Sequence, residues 1–173
     1  MTGWDEESSG PPPARASVAV VSALYFAQPD DHQQLEWLAG GTLTMLLDSA
    51  ATDGQLMMGR FSVARGEAPP FHKHLHEDEI FMLISGTALV WYGEDEYELA
   101  QGGVVFLPRN VGHGYRITSD AADLLMINTP GGIEGMFRAT GRDMSTPRPE
   151  GFEVQPDPAA AERYGNVVLG PPR

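Results

Sequence analysis

The interior of the chain alternates short apolar runs with tight turn clusters. Gly41–Leu47, Gln55–Arg65, Ile80–Ile84, Thr87–Tyr92, Tyr97–Leu99, Val104–Leu107, Gly114–Thr118 and Asp123–Asn128 are brief, and most are rich in β-branched, aromatic or Leu residues. Ser85-Gly86, Gly93-Glu94-Asp95 and Gln101-Gly102-Gly103 punctuate them. Runs of that length between such punctuation predict strands. Eight strands with tight turns and no long helix between them predict an all-β sandwich or barrel. Such folds close their sheets to hide edges, and the eight-stranded jelly roll is one solution.

The ends read differently. Residues 1–15 are polar, acidic and rich in Gly and Pro, the composition of a disordered tail. Residues 16–140 read as one barrel domain with an N-terminal strand. Residues 141–173 read as a Pro-rich extension with one short helix around Pro158–Tyr164, because Pro at the start of a helix already has the right φ. Ala16–Ala27 has the length of a signal-peptide core, but Asp5, Glu6 and Glu7 outweigh Arg15 where a positive flank is needed. At twelve residues it falls short of the roughly 18 that span a bilayer. It reads as a buried strand or short helix, with a cytoplasmic location expected. Its lack of a partner within the barrel predicts a homodimer in which it covers or extends a neighbouring sheet.

Composition narrows the chemistry. Lys plus Arg number 11 and Asp plus Glu 24, for a formal charge of −13. Nucleic acid and anionic membranes reward a basic face, so neither is expected as a partner. Cysteine is absent, which excludes disulfides, thiolate ligands and a cysteine nucleophile. Any metal site must come from His and carboxylate.

Of the five histidines His32 stands alone, while His72, His74 and His76 fall in Phe71-His72-Lys73-His74-Leu75-His76-Glu77-Asp78-Glu79 and His113 follows later. In extended chain His72 and His74 project to the same side. Two imidazoles with a nearby carboxylate can close on a divalent cation, and a two-His, one-carboxylate set leaves positions open for substrate or O₂. On spacing alone Glu77, Asp78 and Glu79 all remain candidates for the carboxylate.

The wider pattern is more specific. From Gly66 the chain reads G-x5-H-x-H-x4-E-x6-G, with His72, His74, Glu79 and Gly86 in the fixed slots. Fifteen residues later comes Gly102-x5-Pro108-x-Asn110-x2-His113. These segments resemble the two conserved motifs of the cupin superfamily. Asn110 stands where that family usually has Gly, and Ile117 fills the closing Asn slot; Asn tolerates the left-handed conformation Gly would supply. Pro69-Pro70-Phe71-His72 and the stretch Thr129–Arg138, with its Pro-Gly-Gly, further resemble single-domain, quercetin dioxygenase-like cupins, where such a stretch leads into a short helix.

The resemblance implies a small double-stranded β-helix (jelly-roll) barrel in which His72, His74, Glu79 and His113 bind one divalent transition metal. Fe, Mn, Co, Ni, Cu and Zn all suit that donor set. His76 lies outside the motif slots, and a set of His74, His76 and Glu79 is the alternative. If His72, His74 and Glu79 face inward, strand parity adds Phe81, Leu83, Tyr115 and Ile117, with Phe106, Met58 and Met126 as further lining candidates. An aromatic, Met-lined cavity suits a flat and largely apolar ligand. Glu79 and Tyr115 are the expected acid–base residues. The expected function is a metal-dependent dioxygenase on a small aromatic or polyketide-like compound. The alternatives are a metal-dependent isomerase or cyclase without O₂, and a non-catalytic small-molecule binding protein.

Overall fold

The computed structural model describes residues 24–173. The tail 1–15 and most of Ala16–Ala27 lie outside the described residues. Twelve strands and two helices follow: β1 (Gln33–Glu36), β2 (Thr42–Leu47), β3 (Met57–Ala64), β4 (Phe71–His74), β5 (Asp78–Ser85), β6 (Thr87–Tyr92), β7 (Asp95–Ala100), β8 (Val104–Leu107), β9 (His113–Ile117), β10 (Ala121–Thr129), α1 (Glu134–Thr140), β11 (Arg142–Asp143), α2 (Pro158–Arg163) and β12 (Asn166–Gly170). Among the described residues no helix is long and apolar enough to cross a membrane.

Two antiparallel sheets carry the fold. One has seven strands in the order β11-β1-β2-β3-β10-β5-β8, the other five in the order β12-β4-β9-β6-β7. The jelly-roll expectation holds, with one refinement: among the described residues no strand ladder joins the two sheets, so the barrel is not a closed one. The alternation along each strand explains the packing. β3 buries Met57, Phe61 and Val63, β5 buries Glu79, Phe81 and Leu83, and β10 buries Ala122, Leu124, Met126 and Asn128. β6 and β9 answer with Ala88, Val90, Tyr115 and Ile117, completing one continuous core between the sheets. Burying such side chains contributes roughly 1.5–3 kcal/mol each and is the main drive to close the sandwich.

Two turns show why particular residues stand where they do. Gly86 links β5 to β6 with φ +90, and a Cβ there would lie 2.6 Å from the Ala121 carbonyl oxygen. Asn110 has φ 67, so it does adopt the left-handed conformation expected in place of glycine.

The C-terminal segment is more ordered than its composition predicts. The expected helix forms at Pro158–Arg163, with Asp157 accepting from the Ala160 N–H at 2.9 Å. β12 then pairs with β4, and the buried Glu36 of β1 receives Arg142 at 2.7 Å and Arg148 at 3.0 Å. The segment thus wraps the sandwich rather than trailing from it.

Candidate metal centre

The local sequence Phe71-His72-Lys73-His74 forms β4, and its pleat buries His72 and His74 while Lys73 points away. His72 sits directly opposite His113 of β9 in the five-stranded sheet. Glu79 comes from β5 in the other sheet, where parity places it inward with Phe81 and Leu83. All four are at most 8% exposed, and their ligand atoms lie within 4.8 Å of one another. The three imidazole centroids are 4.6 to 5.2 Å apart. The donors therefore converge from both sheets on one point.

Their hydrogen bonds prepare them for a cation. His72 Nδ1 lies 2.7 Å from the Pro70 carbonyl oxygen, and His113 Nδ1 lies 3.0 Å from that of Val111. A carbonyl can only accept, so in both rings Nδ1 carries the proton and Nε2 offers a lone pair. His113 Nε2 then stands 3.2 Å from Glu79 Oε2, and neither atom has a hydrogen-bond partner. Two buried electron-rich atoms facing each other at that distance fit a cation between their ligand set. Burial holds His72 down to about 3, with His113 and His74 adding to the effect, and burial holds His74 below its usual range. Burial pushes Glu79 the other way but is outweighed by the imidazoles of His74, His113 and His72, which hold its carboxyl down to about 2. Deprotonated donors of this kind are what a divalent metal requires. His72, His74, Glu79 and His113 could accordingly hold a metal ion.

The neighbouring acidic residues take other roles. Asp78 points outward to Arg109, whose Nε at 3.0 Å and backbone N–H at 2.9 Å hold its carboxyl down to about 2. Glu77 is buried but stands outside the donor cluster, as does His76, whose ring lies against Gly165. The alternative set with His76 is not assembled.

The centre opens into a small cavity of about 80 Å³. Phe81, Tyr115 and Met126 line it as expected, joined by Trp37, Phe61 and Phe137. Phe137 of α1 packs edge-on against Trp37 at 5.0 Å and Phe61 at 5.7 Å. Leu83 and Ile117 are buried in the core without lining the cavity. Phe106 and Met58 are not lining residues either. Phe106 pairs with Ile80 and Met58 with Ile127, positions one step out of phase with inward Glu79 and Met126, and Phe106 is 57% exposed.

Two polar residues belong to the site beyond the motif. Asn128 is fully buried directly opposite Glu79, with its amide nitrogen 3.4 Å from Glu79 Oε1 and 3.5 Å from His74 Nδ1. Its signal was available: it continues the inward row Ala122, Leu124, Met126 as a lone polar member. Asn166 of β12 lies opposite His74, its amide nitrogen 3.4 Å from Nε2. Nothing in a Pro-rich tail announces that contact.

Comparisons with known proteins agree with this architecture. Residues 59–129 match the cupin domain family. Ninety residues align with quercetin 2,3-dioxygenase of Bacillus subtilis at 29% identity, covering 52% of this chain but only 27% of that enzyme. Among solved structures, KdgF from Halomonas sp. superposes with TM-score 0.55 at 19% identity, over 61% of this chain and 94% of that one. The polyketide cyclase RemF from Streptomyces resistomycificus gives TM-score 0.53 at 18% identity, over 62% and 80%. At those identities the two structures speak for the fold alone. Sequence motif and matched domain lead to one assignment: residues 59–129 carry a cupin domain, and the two-sheet architecture around them is that of the cupin fold.

Proposed function

We propose that the chain is a metal-dependent cupin dioxygenase acting on a small aromatic or polyketide-like compound. The observation that carries this reading is a cluster of four buried donors, three of which line a cavity whose other walls are mostly aromatic, Met, Pro and aliphatic side chains, with Thr140, Gln155, Asp157 and Asn166 as polar members. The partial similarity to quercetin 2,3-dioxygenase supports it. A divalent ion held by His72, His74, Glu79 and His113 would supply Lewis-acid stabilisation of a developing oxyanion. Trp37, Phe61 and Phe137 would hold a flat ring by edge and face contacts and exclude water. Glu79 would accept the proton of the substrate hydroxyl, with the Tyr115 hydroxyl as the second acid–base group. A cytoplasmic homodimer with a small-molecule substrate completes the reading.

The test is metal analysis of protein purified without added metal, followed by O₂ uptake with flavonols and polyketide phenols. Metal-dependent O₂ consumption with loss of the phenol is the expected result. Conversion without O₂ uptake would instead assign an isomerase or cyclase. Binding without conversion would assign a small-molecule binding protein.

A further inference from the structure

Glu67 follows Gly66 at the turn out of β3 and is 3% exposed. Its backbone is pinned to β9: the Gly66 N–H donates to the Ile117 carbonyl at 2.9 Å, and the Ile117 N–H donates to the Glu67 carbonyl at 3.0 Å. That register sets Glu67 beside the strand that carries Tyr115. Neither carboxyl oxygen completes a hydrogen bond at normal geometry, and the hydroxyl that approaches it is that of Tyr115. Burying a polar group without partners is costly, so an apolar side chain would fill this volume more stably. An orphaned group of this kind calls for a functional explanation.

Tyr115 supplies one. It is 6% exposed, stands edge-on to Phe81 at 5.3 Å and forms part of the cavity wall. Two residues before Ile117 on the same buried face of β9, it stands between the Gly66–Glu67 turn and the cavity. Burial pushes Glu67 up to about 7, and Tyr115 offsets part of that rise. Among the described residues Tyr115 of β9 is the titratable group acting on Glu67, and Glu79 of β5 acts in turn on Tyr115.

We propose that Glu67 is a positioning residue that sets the direction of the Tyr115 hydroxyl. Carrying its proton, Glu67 donates to the phenol oxygen, and the phenol proton is left to face the cavity as a donor. Ionised, it accepts the phenol proton and turns the oxygen lone pairs inward. The protonated arrangement suits a ligand with an anionic oxygen, such as an enolate or phenolate. This last step rests on the reading that the cavity holds the reacting compound.

Infrared difference spectroscopy of the purified protein, in H₂O and D₂O across mildly acidic to mildly alkaline pH, tests the pair without any substrate. The expected wild-type spectrum has a neutral-carboxyl C=O band that shifts in D₂O, is lost with a midpoint near 7 and is missing from Glu67→Gln. In Tyr115→Phe the band should move to higher wavenumber and its midpoint should rise, because a hydrogen-bond partner is gone. A Glu67→Gln spectrum identical to wild type would overturn the proposal, since Glu67 would then be ionised throughout. An unchanged band in Tyr115→Phe would overturn it by uncoupling the two residues. Should Glu67→Gln fail to fold, the comparison of wild type with Tyr115→Phe still decides. A failed substrate screen would sink the dioxygenase reading and leave these spectra unaffected.

Discussion

A histidine whose Nδ1 is engaged by a backbone carbonyl has one lone pair left to give, and His72 and His113 both give it inward. Removing such a ligand should empty the centre without unfolding the chain. His72→Ala and His74→Ala are expected to lose most bound metal by elemental analysis, while His76→Ala keeps it. Asn128 touches Glu79 and His74 through one amide, so Asn128→Leu should weaken metal binding by roughly 10–100-fold, the usual effect of losing a group that orients ligands. Chelator competition measures it. Glu79→Gln keeps shape and an oxygen donor but cannot take a proton. It should retain most of its metal through the three imidazoles and lose turnover by ~10²-fold or more. Near-normal turnover with metal bound would reduce Glu79 to a structural part. Glu67 gives a pH prediction. Its folded value of about 7 stands above that of an unfolded carboxylate, so its contribution is whole at acidic pH and is lost as pH rises through about 7. Denaturant titrations should show wild type losing stability over that window relative to Glu67→Gln.

At the level of elements, strand parity did most of the predictive work. All eight expected strands form, and parity from Glu79 correctly turned Phe81 into the cavity and, read to its end along β10, would have found Asn128. The motif also separated Glu79 from Glu77 and Asp78, a choice that spacing alone left open. Parity also turned Leu83 and Ile117 inward, but they fill the core below the cavity instead of lining it, and the two missed strands share a different cause. β1 is Gln-Gln-Leu-Glu, with no apolar alternation of its own, and is held by pairing with β2 and β11. β12 and Asn166 owe their place to β4, a partner 92 residues away in sequence at the His74 contact. Long-range pairing overrides local propensity there, and no short window records it. The turns are less forgiving than the strands. Gly86→Ala forces a left-handed alanine and a 2.6 Å approach to the Ala121 carbonyl, so it should cost roughly 1–2 kcal/mol or more in urea denaturation.

The whole molecule combines a formal charge of −13 with an apolar outer surface on β5 and β8, where Met82, Ile84, Val104 and Phe106 are all at least 39% exposed. Val104 pairs with Met82 and Phe106 with Ile80, so these side chains form neighbouring rows rather than isolated spots. Light scattering at tens of micromolar should report twice the 18.7 kDa protomer mass, and Val104→Lys with Phe106→Lys should shift it toward the monomer. A monodisperse wild-type monomer would count against the dimer. The division of the donors between the sheets has a mechanical consequence. Three imidazoles sit on one sheet and one carboxylate on the other, and among the described residues no strand ladder crosses the gap. A cation there would work as a rivet through two plates, adding to the packing and the few backbone bonds at the Gly66–Glu67 turn that otherwise resist shear. At a hundredfold excess over its dissociation constant it would add about 2.7 kcal/mol to the folded state. Chelation should accordingly speed amide hydrogen exchange first in β4, β5 and β9, while the β6–β7 hairpin, fastened by its own ladder, holds its protection longest.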